Sequence, residues 1–271
     1  MQIGVIGLGL IGSSIARAVK KHTDFKVAGF DIDQPVLNTA LEQGVVDSGN
    51  AEDACASDVV FVCLFPEAAV EFISSHTFAH IVCDVCGVKG FVSEQLSGRV
   101  PGYVGVHPMA GREISGYYAG DADLFLGASL IITADGNTNK EYVQRIKEFA
   151  PAIGFERVVV TTPEKHDRII AYTSQLAHVV SSSYVKSDTA MDYVGFSAGS
   201  FSDLTRVARL DPQMWAQLFL ENSENLSEEI DTLVGHLLEY KKAIAEGNRQ
   251  ELLLLLSQGR ERKDLLDKLK E

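Results

Sequence analysis

Three sets of residues in this 271-residue chain have the types and spacing to do chemistry. Gly7-Leu8-Gly9-Leu10-Ile11-Gly12 is a G-x-G-x-x-G run directly after the apolar stretch Ile3 to Ile6 and directly before SSIARAVKK. At such a strand-to-helix turn the first glycine permits the bend, the second lets the backbone approach a pyrophosphate, and the third lets helix and strand pack closely. Glycines of an ordinary turn are the plainer alternative. The second strand, FKVAGFD, ends in Asp31, nineteen residues after Gly12, where a carboxylate accepts from a ribose diol and repels a 2′-phosphate. Ile32 and Asp33 follow, with no arginine, so the expected cofactor is NAD rather than NADP. His107 closes the apolar run GYVGV and opens HPMAGREISG, which puts an imidazole suited to general-base work at the carboxyl edge of a sheet. A structural histidine is the alternative. Arg206, in DLTRVARLDP after the loop GFSAG, is a candidate for holding a carboxylate bidentately, and Arg209 could do likewise; solvated or acid-paired arginines are the commoner case.

The elements that must position these residues are legible in the periodicity. Up to about residue 160, short β-branched runs alternate with helical stretches in the order IGVIGLG, FKVAGFD, VVFVCLF, IVCDV, GYVGVHP, ASLIITA and FERVVVTT. That rhythm predicts a parallel sheet of seven or more strands. After Pro163 the alternation stops and apolar residues recur at three- and four-residue steps, so residues 163–271 are expected to be helical. The expected fold is therefore α/β: a Rossmann-type, mostly parallel domain over residues 1–162 and an all-α domain over 163–271. Leu252 to Leu256 wrap more than half a helix in apolar surface, which predicts either a subunit interface or a fully buried helix.

Composition narrows the function classes. The sum of 24 basic and 37 acidic residues is −13, with a pI near 5.0, so neither nucleic acid nor an anionic membrane is an expected partner. No apolar run reaches the roughly 18 residues of a membrane span, and the amino terminus lacks the basic flank of an export signal. A cytoplasmic location is expected, and no metal. Cys83 and Cys86 form a lone C-x-x-C with no second pair to complete a four-ligand site, so Cys55, Cys63, Cys83 and Cys86 are expected as free thiols.

The motifs GLGLIG, DVCGVKG, HPMAGREISG, SQLAH and SFSDLTRVARLDPQMWAQLFLENSENL together resemble the prephenate and arogenate dehydrogenases, over nearly the whole chain. The resemblance implies NAD-dependent oxidation and decarboxylation of a cyclohexadiene, prephenate or arogenate, with His107 as base on the ring hydroxyl. It implies that Arg206 holds a substrate carboxylate, that His178 lines the substrate pocket, and that subunits pair as a homodimer through the helical domain. Two positions depart from the pattern. Gly87 stands where the family loop G-S-x-K-G has serine, and Gln175 stands where some members have histidine, near the group that differs between the two substrates. The length leaves no room for the ACT domain that some members append, so feedback through one is not expected. Two other readings are a 3-hydroxyacid dehydrogenase, which needs a lysine on a glycine-led helix where Lys186 instead follows SSSYV, and an NAD-binding sensor without turnover.

Overall fold

The structure, a computed structural model, describes residues 1–112 and 114–269. All seven predicted strands are present among them: β1 (Gln2–Ile6), β2 (Lys26–Phe30), β3 (Val59–Val62), β4 (Ile81–Asp84), β5 (Gly105–Pro108), β6 (Ser129–Thr133) and β7 (Arg157–Thr161). The helices that bear on the site are α1 (Leu10–His22), α2 (Gln34–Glu42), α3 (Ala51–Cys55), α4 (Pro66–Ser75), α5 (Gly90–Leu96) and α6 (Lys140–Phe149). They continue with α7 (Pro163–Ile170), α8 (Ala177–Tyr184), α9 (Gly199–Thr205), α10 (Pro212–Glu221), α11 (Ser223–Ala245) and α12 (Arg249–Lys268). Several start at caps visible in the sequence. Asp33, Thr162 and Asp211 each accept from a first-turn N–H and are followed by a proline within the first turn.

The strands form two sheets rather than one. β2-β1-β3-β4 is wholly parallel; β5-β6-β7 pairs β5 antiparallel to β6 and β6 parallel to β7. A parallel pair needs a crossover element, and among the described residues between β5 and β6 the regular structure is a 3₁₀ turn at Tyr117–Ala119, consistent with the antiparallel return of β6. A single bridge, Val82 to Tyr103, links the two sheets.

Alternation along each strand of the first sheet feeds two cores. Ile3, Val5, Val59, Phe61, Ile81 and Cys83 enter one cluster, while Ile6, Val60, Val62 and Val82 enter the other. Cys83 and Cys86 consequently belong to different clusters, and burial raises both thiols well above their ordinary value.

By compactness the chain divides into Met1–Ser223 and Glu224–Glu271. Within the second unit, Ala243 of α11 and Leu255 of α12 are buried, whereas Leu253, Leu254 and Leu256 are exposed. No helix among the described residues is long and apolar enough to cross a membrane.

The closest backbone approach in the cofactor turn is at Gly12, where an added Cβ would stand 1.8 Å from the Gly7 carbonyl oxygen. Gly12→Ala must lift α1 off β1, and we expect it to cost about 1–3 kcal/mol in chemical denaturation; a variant as stable as the parent contradicts this packing.

Candidate active site

The glycine-rich turn has the geometry of a dinucleotide cradle. Gly7 sits at φ +84° with its N–H donated to Phe30 O at 2.8 Å, a conformation a side chain would strain. Beside Gly9 a Cβ would meet nothing within 4 Å, so the backbone there is open to an incoming group. Gly9 is also the N-cap of the 13-residue α1 and offers no capping side chain, leaving first-turn N–H groups for an anion. Asp31 is braced to the turn: one carboxylate oxygen accepts from Leu8 N at 2.7 Å and the other from Asp33 N at 2.8 Å. A cleft of about 340 Å³ runs from Gly7 and Asp31 to α4. These features fit a dinucleotide with a free ribose diol.

His107 lies on β5 at the end of a hydrogen-bond chain. Its Nδ1 is 2.9 Å from Nε2 of His166, and His166 Nδ1 is 2.7 Å from an Asp167 carboxylate oxygen. A carboxylate only accepts, so His166 donates from Nδ1 and accepts at Nε2, and His107 must donate from Nδ1. The lone pair of His107 then sits on Nε2. A Cβ at Gly87 would lie 3.9 Å from that nitrogen. Burial, followed by the charges of His166 and Lys89, holds His107 well below the ordinary value of 6.5, so it is an unprotonated acceptor at neutral pH.

The loop after β4 and helix α7 hold one another in place. Asp167 accepts from Lys89 N at 2.8 Å and from Gly90 N at 2.7 Å, one through each oxygen. The Lys89 ammonium, fully buried, bonds Asp84, whose other oxygen accepts from Tyr103 Oη at 2.8 Å. Asn222, just past α10, donates to Asp167 O at 2.9 Å and to Gln175 Oε1 at 2.7 Å. Gln175, 2% exposed, donates in turn to Leu218 O at 2.9 Å. Between α7 and α8 runs a π-helical stretch, Ala171–Leu176, which contains Gln175 and leads into His178.

His107, Gly87 and Gln175 therefore belong to one connected constellation. His178 lies on α8, with Nδ1 bonded to Ser174 O at 2.8 Å and its ring 4.0 Å from that of Trp215. Arg206 closes α9 at an exposed position, its N–H donated to Ser202 O at 3.0 Å. His166, Asp167 and Asn222 were not expected from the sequence. A signal existed: Pro163, His166, Asp167 and Ile170 are the buried residues of α7, and a His-Asp pair on that inner stripe marks a polar network.

The parallel βαβ fold and its glycine-rich turn together define a Rossmann-type dinucleotide-binding protein, and the chain carries in addition a buried, hydrogen-bonded histidine pair. Residues 15–167 match the family model for the nucleotide-binding domain of prephenate dehydrogenase, and residues 162–258 match the model for its dimerization domain. The cyclohexadienyl dehydrogenase of Zymomonas mobilis is 34% identical over 93% of this chain and 91% of its own length. The crystal structure of A. aeolicus prephenate dehydrogenase with hydroxyphenyl propionate and NAD⁺ superposes with a TM-score of 0.85 at 27% identity, covering 98% of each chain. Synechocystis arogenate dehydrogenase gives 0.80 at 25% identity, covering 98% of this chain and 100% of its own. The chain belongs to the prephenate dehydrogenase family, NAD-dependent oxidoreductases.

The tautomer chain has a measurable consequence. At pH 6.5, the ordinary histidine value, the His107 ring stays neutral and the His166 ring holds less proton than a free histidine, so both sets of NMR resonances titrate below that pH. Unfolded histidines take up protons that the folded ones refuse, so this contribution to stability is present above pH 6.5 and fades as the pH falls towards the folded values. Glu221 acts the other way. Burial pushes its carboxyl from 4.5 to about 7, so its contribution is full below 4.5 and is lost as the pH rises to about 7. Glu221→Gln should therefore steepen the loss of stability on acidification below pH 6.5; a His107 ring titrating at or above that pH contradicts the chain.

Proposed function

We propose that the protein catalyses the NAD-dependent oxidative decarboxylation of prephenate to 4-hydroxyphenylpyruvate, a step towards tyrosine, as a cytoplasmic homodimer. The observation that carries the reading is His107 Nε2: a lone pair fixed by the relay to Asp167, facing the loop at Gly87. NAD, when bound, supplies the hydride acceptor for the ring carbon that bears the hydroxyl. His107 takes the hydroxyl proton as that C–O bond becomes a carbonyl, which delocalises the positive character left on the carbon. The bond from the ring to its carboxylate then breaks, its electron pair enters the ring, and carbon dioxide leaves. The phenol oxygen recovers its proton from His107 or solvent, and aromatisation drives the sequence.

The remaining roles belong to the same proposal. Gly7, Leu8, Gly9, Leu10, Ile11 and Gly12 cradle the pyrophosphate and Asp31 takes the adenine ribose, supported by the open backbone at Gly9 and the braced carboxylate. Arg206 holds a substrate carboxylate, and His178 and Gln175 line the substrate side. Gln175 acts there through its bonds to Leu218 and Asn222. Without the serine of the family loop, the space beside Gly87 is left to the substrate hydroxyl or a water. The assignment of residues 1–162 to cofactor and 163–271 to substrate and pairing is favoured by family matches that meet at 162–167. A reducing compartment suits four unpaired cysteines.

Arogenate is the second reading, favoured by the likeness to an arogenate dehydrogenase and by a neutral amide at Gln175. Initial rates of NADH formation with each substrate decide between them, and prephenate is expected to be faster. His107→Asn should lower kcat at least about 100-fold while leaving NAD affinity nearly unchanged; a variant keeping a tenth of the parent rate refutes the base. For the homodimer, supported by the dimerization-domain match and the exposed leucines of α12, sedimentation at micromolar concentration should give twice the 29.4 kDa of one chain. A single species at 29.4 kDa overturns it.

A further inference from the structure

We propose that His76 reads the base of the dinucleotide, its Nε2 accepting a hydrogen bond from the exocyclic amine of adenine. The proposal rests on reading the cleft beside Gly7 as the nucleotide end of the cofactor site. One side of that cleft is Asp31, the ribose acceptor; the far side is α4, with Phe72, Ser75 and His76. A base attached to a ribose at Asp31 must occupy the space between. Its walls suit a planar aromatic ring: Ile6, Phe30 and Leu64 line it, and Ile32, 94% exposed, stands at its rim.

His76 is held before any ligand arrives. Its ring stacks on Phe72 with centroids 4.0 Å apart and planes 14° from parallel. Its Nδ1 lies 2.9 Å from Phe72 O and 3.1 Å from Ser75 Oγ. A carbonyl only accepts, so Nδ1 carries the proton, and Ser75 can accept from it because its own hydroxyl donates to Glu71 O at 2.7 Å. The nitrogen left for a ligand is Nε2, an acceptor with no donor capacity in this tautomer. Adenine offers an amine to such an acceptor. Hypoxanthine carries a carbonyl at the same position and moves its donor to the neighbouring N1–H, so an acceptor aimed at the amine meets a second acceptor there and can be met only by a shifted base. The orientation is fixed by the stack and by the carbonyl, so little side-chain freedom is lost on binding. Glu71 also lines the cleft and is the competing acceptor.

Calorimetric titration of the full-length protein with NAD and with nicotinamide hypoxanthine dinucleotide tests the assignment without turnover. The parent should bind NAD about three- to ten-fold more tightly, the range of one hydrogen bond. His76→Phe keeps the stack and removes the acceptor, and should bring the two affinities within about two-fold. His76→Gln, whose amide can turn either edge to the base, should also abolish the preference while binding both. Glu71→Gln should leave it in place. A parent without preference, a preference that survives His76→Phe, or one lost in Glu71→Gln overturns the role of His76. Asp31→Asn separates the underlying reading: it should weaken both ligands alike with their ratio intact, and unchanged affinity for both, or no binding by the parent, shows that the cleft is not the cofactor site and removes the proposal with it.

Discussion

The carboxylate of Asp167 is the interaction on which the rest of the site depends. It is 4% exposed, and a buried anion survives only if its charge is met by donors. Here two backbone N–H groups, at Lys89 and Gly90, meet one oxygen each, and the His166 ring meets one of them again. Those bonds join parts of the chain far apart in sequence: the loop after β4, helix α7 and, through His166, strand β5. Removing the carboxylate would leave two backbone donors and the His166 ring N–H unmet and release the tautomer of two rings. Few single groups in the chain decide so much geometry.

Burial keeps His107 uncharged, and the charges around this anion reinforce it. Lys89 is buried with Asp84, so its ammonium is paired, yet it still stands near enough to both rings to disfavour their protonation. Tyr103 completes the Asp84 acceptor set. The buried pair is thus less a source of stability than a fixed potential next to a base, since burying such a pair gains little net energy over an apolar equivalent.

Strand identity was legible in the sequence because β-branched runs bounded by glycine and polar residues announce strands locally, as VVFVCLF and ASLIITA do. Pairing direction was not, because nothing within GYVGVHP states which neighbour it will bond or in which sense. The cofactor turn was legible for the same local reason: Gly7, Gly9, Gly12 and Asp31 are tied to one βαβ unit. The position of His107 towards the end of a strand was legible in GYVGVHP. Its partner His166 was not, since 59 residues separate them and neither the strand nor the helix pattern records their meeting. Gln175 shows the opposite limit: its position is marked in the sequence, but only the fold shows its amide bonded to Leu218 and Asn222.

The antiparallel return of β6 has a consequence for the length of the connection before it. That connection leaves β5 just after His107 and is pinned to the first turn of α1: Tyr117 O accepts from Ser13 Oγ at 3.3 Å, and Asp121 N donates to Ser14 Oγ at 3.0 Å. Gly120 lies so close to Ser13 that a Cβ there would stand 2.1 Å from its hydroxyl oxygen. The connection that follows the strand of His107 is therefore fastened, at residues 117–121, to the helix that follows the glycine-rich turn. Surface loops ordinarily absorb insertions at small entropic cost. Between Tyr117 and Asp121 that tolerance is lost, because both ends of this short stretch are bonded to adjacent serines of one helix and an added residue would break one bond or the other.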